Sequence, residues 1–149
     1  MRSFYQDTEK RFMVPELFSK EARDVAKRIR SRGRLQSSQF RNYFQQLRAL
    51  ESRYLADQQE SQETAWHRLQ PQLHLFKAKL AYGARKEGPL AQATEFRDFM
   101  EETIDSIKDG KDFEAAMLFV EAVLAYYYAL ETEQAKNNQR NRQHGRNRR

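Results

Sequence analysis

The sequence predicts an all-α fold: a single compact bundle of about five helices followed by a disordered basic C-terminal tail. Three observations support this prediction. The chain has only 5 Gly and 3 Pro among its 149 residues, so helix breakers are scarce. Apolar residues recur at i, i+3, i+4 and i+7 in successive segments, and no run of alternating β-branched residues is present. The 10 Phe, 7 Tyr and 1 Trp supply enough bulk for one modest core, whereas disordered chains have few aromatics.

The first two helices follow from their end signals and their apolar stripes. The first is predicted to begin at Pro15, which suits the first helical position, and to run to about Arg32. Gly33 then follows as the residue that ends it. The second is predicted to begin after Ser37, a favourable N-cap. Its stripe consists of Phe40, Tyr43, Phe44, Leu47, Leu50 and Tyr54.

The third and fourth helices are separated by a clear break in the pattern. Apolar residues share one face over 66–80, and Pro71 within that segment marks either a kink or a helix start. A Gly-Pro pair interrupts the pattern, and Pro89 suits the first turn of a fourth helix. Gly110 is predicted to end that helix.

The fifth helix is predicted to be the buried centre of the bundle. Asp112 can cap it, and the segment Phe113–Leu130 is apolar nearly all round. No stretch of 18 apolar residues occurs, so a transmembrane helix is not expected. Residues 136–149 contain no aliphatic or aromatic side chain and are predicted to be disordered. The expected organisation is an N-terminal arm (1–14), a helical domain (15–135) and this tail.

The charges are unevenly distributed along the chain. Residues 1–50 hold 12 Lys/Arg against 5 Asp/Glu, whereas residues 87–135 hold 3 against 12. The last 14 residues hold 6 Lys/Arg and no acid. Such asymmetry suggests a polyanion bound on the basic side. Alternatively, the basic and acidic parts fold against each other and partly neutralise.

Little in the sequence points to catalysis. The absence of Cys excludes a disulfide framework, a thiolate zinc site and a cysteine nucleophile. His67, His74 and His144 are poorly spaced for a metal site, so no metal or cofactor is expected. No phosphate-binding glycine loop, HExxH motif or nucleophile–base pair is recognisable. The charged N-terminus has no apolar core of a signal peptide, which indicates a cytoplasmic protein without a role in membranes.

Three motifs together carry a family resemblance. They are LQSSQFRNYF at 35–44, LFKAKLAYGAR at 75–85 and FVEAVLAY at 119–126. In this order and at these separations they resemble the signatures of the small helical subunit of the Csm effector complex, which belongs to type III-A CRISPR systems. The resemblance covers residues 16–130. Ser37 where Thr is common and the Arg/Asn-rich tail depart from the family pattern.

The resemblance implies a small all-α protein without a catalytic site of its own. It implies a cytoplasmic antiviral complex in which several copies stack beside the backbone subunits and contact the large signature subunit. The expected partners are therefore these subunits, further copies of the chain, and the guide and target RNA. RNA contacts are expected to be independent of sequence, because pairing with the guide supplies sequence choice.

The candidate RNA-binding residues come from the first two motifs and their surroundings. The hydroxyls at the start of the second helix could hold a phosphate or merely cap the helix. Its arginines could bind phosphates or pair with acids of the chain. The basic residues near Tyr82 suit single-stranded RNA, although a tyrosine at the edge of a core is equally ordinary. The full candidate set is Ser37, Ser38, Gln39, Arg41, Arg48, Lys77, Lys79, Tyr82, Arg85 and Lys86.

Two functions of different class remain open from the sequence. The first is a non-catalytic, RNA-binding structural subunit of the RNA-guided complex. The second is a helical adaptor that uses acidic and basic faces to bind proteins and has no RNA role. If the second and third helices are neighbours, their basic side chains are expected to form one continuous strip.

Overall fold

A computed structural model describes residues 2–148, and within them the prediction of an all-α fold is confirmed. A short 3₁₀ helix, Pro15–Phe18, precedes five α-helices. They are α1 (Lys20–Ser31), α2 (Ser37–Asp57), α3 (Gln62–Gly83), α4 (Thr94–Asp105) and α5 (Gly110–Arg146). In the described part of the chain the only β pairing is an isolated bridge between Tyr5 and Met13.

The core forms around the first half of α5, as predicted for the segment that is apolar nearly all round. This half packs against α1, α2 and the 3₁₀ helix, while α2 also packs against α3, and α3 against α4. Phe119 and Val123 of α5 are fully buried. Edge-to-face aromatic pairs link helices, such as Phe99 of α4 with Phe119 at 5.6 Å between ring centroids.

Helix α5 is long and apolar enough to cross a membrane by length and hydropathy alone. Half of its most apolar 18-residue window is buried within the bundle, however. The central helix of a helical domain meets the same criteria, because it must be apolar to fill the core. The length and hydropathy of α5 are therefore not by themselves evidence of a membrane span.

Several predicted helix boundaries were wrong. The first helix breaks at Ser19 into a 3₁₀ turn and α1, and Gly33 does not adopt a left-handed conformation. Instead, a Cβ at Gly33 would lie 2.6 Å from the carbonyl oxygen of Gln92, so a close backbone approach requires this glycine. Pro71 lies inside the uninterrupted α3 and does not start a helix.

The break around Pro89 is longer than predicted. Residues 84–93 form turns, and α4 begins only at Thr94. Leu90 is buried, and its N–H donates to the carbonyl of Gly83 at 2.8 Å, which folds the chain back at the end of α3. The tertiary burial of Leu90 thus outweighs the preference of Pro89 for a first helical turn.

The cap of α5 is Asp109, not Asp112, and Gly110 begins α5 where it was predicted to end the fourth helix. The Asp109 carboxylate accepts from the Asp112 N–H at 2.9 Å, and the Asp112 carboxylate accepts from the Lys108 N–H at 3.0 Å. These two bonds satisfy N–H groups on both sides of the helix start, in an arrangement that differs from a capping box only in that Asp112 accepts from the residue before the N-cap. The Lys10 ammonium joins them, at 2.6 Å from Asp109 and 3.0 Å from Asp112.

This cluster predicts a loss of stability in acid. Burial raises the pKa of Asp109, but its bonds with Lys10 and with backbone N–H groups outweigh this and lower it from 3.8. A lowered folded pKa stabilises the protein above the unfolded value and loses that contribution as pH falls through the folded pKa. We expect the melting temperature of wild type to fall more steeply below pH 3.8 than that of Asp109→Asn, which keeps a helix cap without the charge. Parallel acid profiles would contradict the assignment.

The tail that was predicted to be disordered continues α5 as helix through Arg146. Every residue over 132–148 is exposed, so no packing holds this part in place. Helix propagation supplies the reason, because adding a residue to an existing helix avoids the cost of nucleation. From the sequence, the segment could be recognised only by its lack of an apolar face, and this led to the prediction of disorder.

Candidate nucleic-acid interface

The C-terminal end of α3 exposes an aromatic ring beside three cations. Tyr82 is 68% exposed, and the Arg85 guanidinium carbon lies 3.7 Å from the centroid of its ring. The same guanidinium donates to the Tyr82 carbonyl at 2.7 Å, which fixes it over the ring. Lys79 and Lys86 are exposed next to this pair. We call Lys79, Tyr82, Arg85 and Lys86 the α3 basic face.

The α3 basic face is exposed because the opposite side of the helix is committed to the core. Phe76 and Leu80 are buried, and the Tyr43 hydroxyl of α2 occupies the space that a Cβ on Gly83 would need. Burial raises the pKa of Tyr43, and the positive charge of Arg85 opposes that rise. The close approach of α2 therefore turns Tyr82 and Arg85 outward. Within residues 2–148, no carboxylate lies within 4 Å of a cation of this face.

Arg48 is committed to ion pairs. Its guanidinium lies 2.7 Å from Glu51 on α2 and 3.2 Å from Glu121 on α5. The hydrogen bond to Glu51 raises the pKa of Arg48. The sequence left two roles open for Arg48, phosphate binding and pairing with acids of the chain. These contacts agree with the second role.

Arg41 contacts an aromatic side chain of α5 instead. Its Nε donates to the Tyr128 hydroxyl at 2.9 Å, and its guanidinium carbon lies 5.5 Å from the centroid of that ring. Arg41 remains exposed, and no carboxylate within the described chain lies within 4 Å of it. It therefore keeps the capacity to bind a phosphate.

The expected continuous basic strip across α2 and α3 does not form. The two helices are neighbours, but Arg41 and Arg48 point to α5. Leu50 lies about 180° from Arg41 around the helix and lines a groove shared with Leu69 of α3. Arg41 and Arg48 thus lie on the side of α2 that faces α5. The α3 basic face belongs to the helix that packs on another side of α2.

Lys77 is separated from the α3 basic face as well. Its ammonium lies 2.5 Å from Asp105 of α4, and both side chains are partly exposed. Two residues along a helix correspond to a rotation of about 200°, so Lys79 faces away from that pair. Lys77 therefore connects α3 to α4.

The start of α2 differs from the predicted cap. The N-cap is Gln36, without a side-chain cap bond, and Ser37 is the first helical residue. The Ser37 hydroxyl lies 3.4 Å from the Glu131 carboxylate of α5, while Ser38 is exposed. Gln39 lines an open groove at this end of the bundle.

This groove, of about 720 Å³, lies between the end of α1, the start of α2, the turns at 84–93 and α5. We call it the basic groove, because Arg30 and Arg34 line it against a single acid, Glu87. Arg30 donates to Gln134 of α5, and its guanidinium carbon lies 5.8 Å from the centroid of the Tyr127 ring. The sequence candidates omitted both arginines. Their only sequence signal is the basic run 20–34, which equally suits a solvated helix surface.

The arrangement offers phosphate binding and base stacking. Arginine and lysine side chains neutralise phosphates, and an exposed tyrosine can stack on a base. Over residues 2–148, no group of three or more potential metal-ligating side chains is found. His67 lies 3.7 Å from Glu63, one turn away on the exposed side of α3.

Comparison with protein families finds a match over most of the chain. The model of the family described as Csm2 Type III-A matches residues 13–133 of the chain. Searches of curated proteins and of solved structures find no match. The matched region runs from just before the 3₁₀ helix through the core half of α5, and it includes all three sequence motifs. Since this region is most of the chain, the protein belongs to the Csm2 Type III-A family, a subunit family of the type III-A CRISPR Csm complex.

Proposed function

We propose that this subunit of the Csm complex binds the backbone of the guide or target RNA and has no catalytic activity. In this proposal several copies stack along the cytoplasmic complex, beside the other subunits. The α3 basic face is the observation that carries the RNA proposal. It combines an exposed ring with cations that have no acidic partner in the described structure.

The contacts of Tyr82 favour RNA over a purely structural role. A tyrosine at the edge of a core would bury most of its surface, whereas Tyr82 as a residue is 68% exposed. Arg85 covers one side of the ring at 3.7 Å and leaves the rest of the side chain accessible. A base that stacks there would bring its phosphates near Lys79 and Lys86. Such stacking tolerates any base, since every base has a π-face.

The absence of catalysis is proposed from family membership, since the Csm2 Type III-A family is a family of structural subunits. The polar groups of the candidate surface agree with that role. They are mainly cations and one phenol, which suit binding to phosphates and bases. Arg48 and Lys77, two of the remaining candidates, are in ion pairs within the bundle.

A salt titration of RNA binding tests the proposal. Each phosphate contact on a single strand contributes about −0.7 to the slope of log K against log salt. We expect the pair of changes Lys79→Ala and Arg85→Ala to flatten the slope by about 1.4 units. Tyr82→Ala is expected to cost about 1–3 kcal/mol of binding free energy through lost stacking, whereas Tyr82→Phe keeps the ring. Binding would be measured by fluorescence anisotropy, in the reconstituted complex and with unrelated RNA sequences.

Arg53→Ala provides the matched control for charge. Arg53 is an exposed cation near the C-terminal end of α2, remote from the end of α3. Its removal should leave both slope and affinity nearly unchanged. If the folded Lys79, Tyr82 and Arg85 variants bind RNA as well as wild type does, the α3 basic face is not an RNA-binding surface. It would favour the adaptor alternative, in which acidic and basic faces bind only proteins.

A further inference from the structure

The C-terminal part of α5 extends beyond both the bundle and the family region. We call residues 136–148 the C-terminal extension. The family match ends at residue 133, while α5 continues as helix through Arg146. All described residues of the extension are exposed. At 1.5 Å per residue, the helical part spans about 16 Å.

The charge of the extension is unbalanced. Lys136, Arg140, Arg142, Arg146 and Arg148 are its cations, and it has no acidic residue. Lys136 and Arg140 are four residues apart on the helix, as are Arg142 and Arg146, so like charges are neighbours. Each such pair destabilises an isolated helix. A bound polyanion would relieve this repulsion.

The composition of the extension indicates which kind of polyanion it could bind. No residue is aliphatic or aromatic, so the helix has no face that could enter a lipid surface or be buried against a protein. Its uncharged side chains are almost all Asn and Gln, which hydrogen-bond to phosphate and sugar oxygens. These properties favour an RNA backbone.

The base of the extension is fixed beside the basic groove. Arg30 donates to Gln134, and the Ser37 hydroxyl lies 3.4 Å from Glu131, so α1 and α2 both hold α5 where it leaves the bundle. Gln134 itself lines the basic groove together with Arg34. A strand in that groove would therefore meet the extension directly.

We propose that the C-terminal extension and the basic groove form a second RNA-binding surface, which this chain adds to the family region. The proposal rests on the proposed RNA-binding function. It requires the extension to act as a rigid continuation of α5, so that its cations follow the strand away from Arg30 and Arg34. A flexible basic tail would supply the same charge without that alignment.

Two sets of variants test the proposal on the full chain in the reconstituted complex, with unstructured RNA oligonucleotides as the probe. The first, Arg140→Gln, Arg142→Gln and Arg146→Gln combined, removes charge. We expect it to flatten the salt slope by about 2 units and to lower affinity up to roughly a hundredfold at 0.1 M salt. The second compares Asn141→Pro with Asn141→Ala. The proline keeps every charge but interrupts the helix, and it should lower affinity clearly more than the alanine does.

The outcomes separate this proposal from the proposed function. Unchanged binding by the charge variant, with a loss in the Tyr82→Ala variant, would overturn the second surface and keep the α3 basic face. Unchanged binding in both would overturn both. Equal affinity of Asn141→Pro and Asn141→Ala would overturn the requirement for a continuous helix. Since the extension is exposed, all of its variants should melt like wild type, and a large loss of melting temperature would show that the extension packs against the bundle.

Discussion

Replacing Val123 with Asp is expected to unfold the domain. Val123 is fully buried in the core half of α5, the helix against which α1 and α2 pack. A carboxylate there would lose its hydration without a partner, and either the buried charge or the shifted pKa costs several kcal/mol. Domains of this size are stable by only about 5–15 kcal/mol, so the change removes much or all of the stability. Circular dichroism during thermal and urea unfolding would measure the loss.

Leu118→Asp is the matched control for this prediction. Leu118 lies on the same helix, but its side chain is 47% exposed, so the new carboxylate would remain hydrated. We expect a change of less than about 1 kcal/mol in the free energy of unfolding. Similar melting of Val123→Asp and wild type would show that α5 is not the centre of the core.

The sequence predicted the helices better than their ends. Apolar periodicity identifies the buried face of a helix, and the stripes of α2 and α3 were assigned in this way. The start of α5 was misplaced because Asp109 and Asp112 are both favourable caps. Lys10, about a hundred residues away in sequence, also contacts both acids at the helix start. Long-range contacts of this kind have no local signal.

The candidate interface was predictable to a similar extent. The basic residues around Tyr82 were predicted from their interleaving with an aromatic residue; Arg85 does contact the Tyr82 ring, whereas Lys77 pairs with Asp105 instead. The pairing of Arg48 with Glu121 could not be foreseen, because it depends on which face of α2 meets α5. The basic groove was missed for the same reason. Arg30 and Gln134 are remote in sequence, and only folding brings α1 next to the end of the core half of α5.

Replacing Phe4 with Ala is expected to destabilise the protein by about 3–5 kcal/mol, because the N-terminal arm is part of the core. Phe4 is 2% exposed, and its backbone pairs with Val14 at 3.0 Å. Beside it, the Tyr5 hydroxyl donates to the Lys111 carbonyl at 2.6 Å, and the Arg2 guanidinium carbon lies 4.5 Å from the Phe119 ring centroid. The arm thus covers the start of α5, although the sequence offered it as a segment outside the helical domain. Chemical denaturation of the variant would give the free energy.

Phe12→Ala is the control for Phe4→Ala, since it removes the same side chain from the same arm. Phe12 is 63% exposed, and its contact there is with the Arg11 guanidinium, 5.9 Å from the ring centroid. Because its ring is already largely hydrated, we expect less than about 1 kcal/mol of change. A small effect of Phe4→Ala, equal to that of Phe12→Ala, would mean that the arm is detached in solution. The helical domain would then begin near Pro15, where the sequence first placed it.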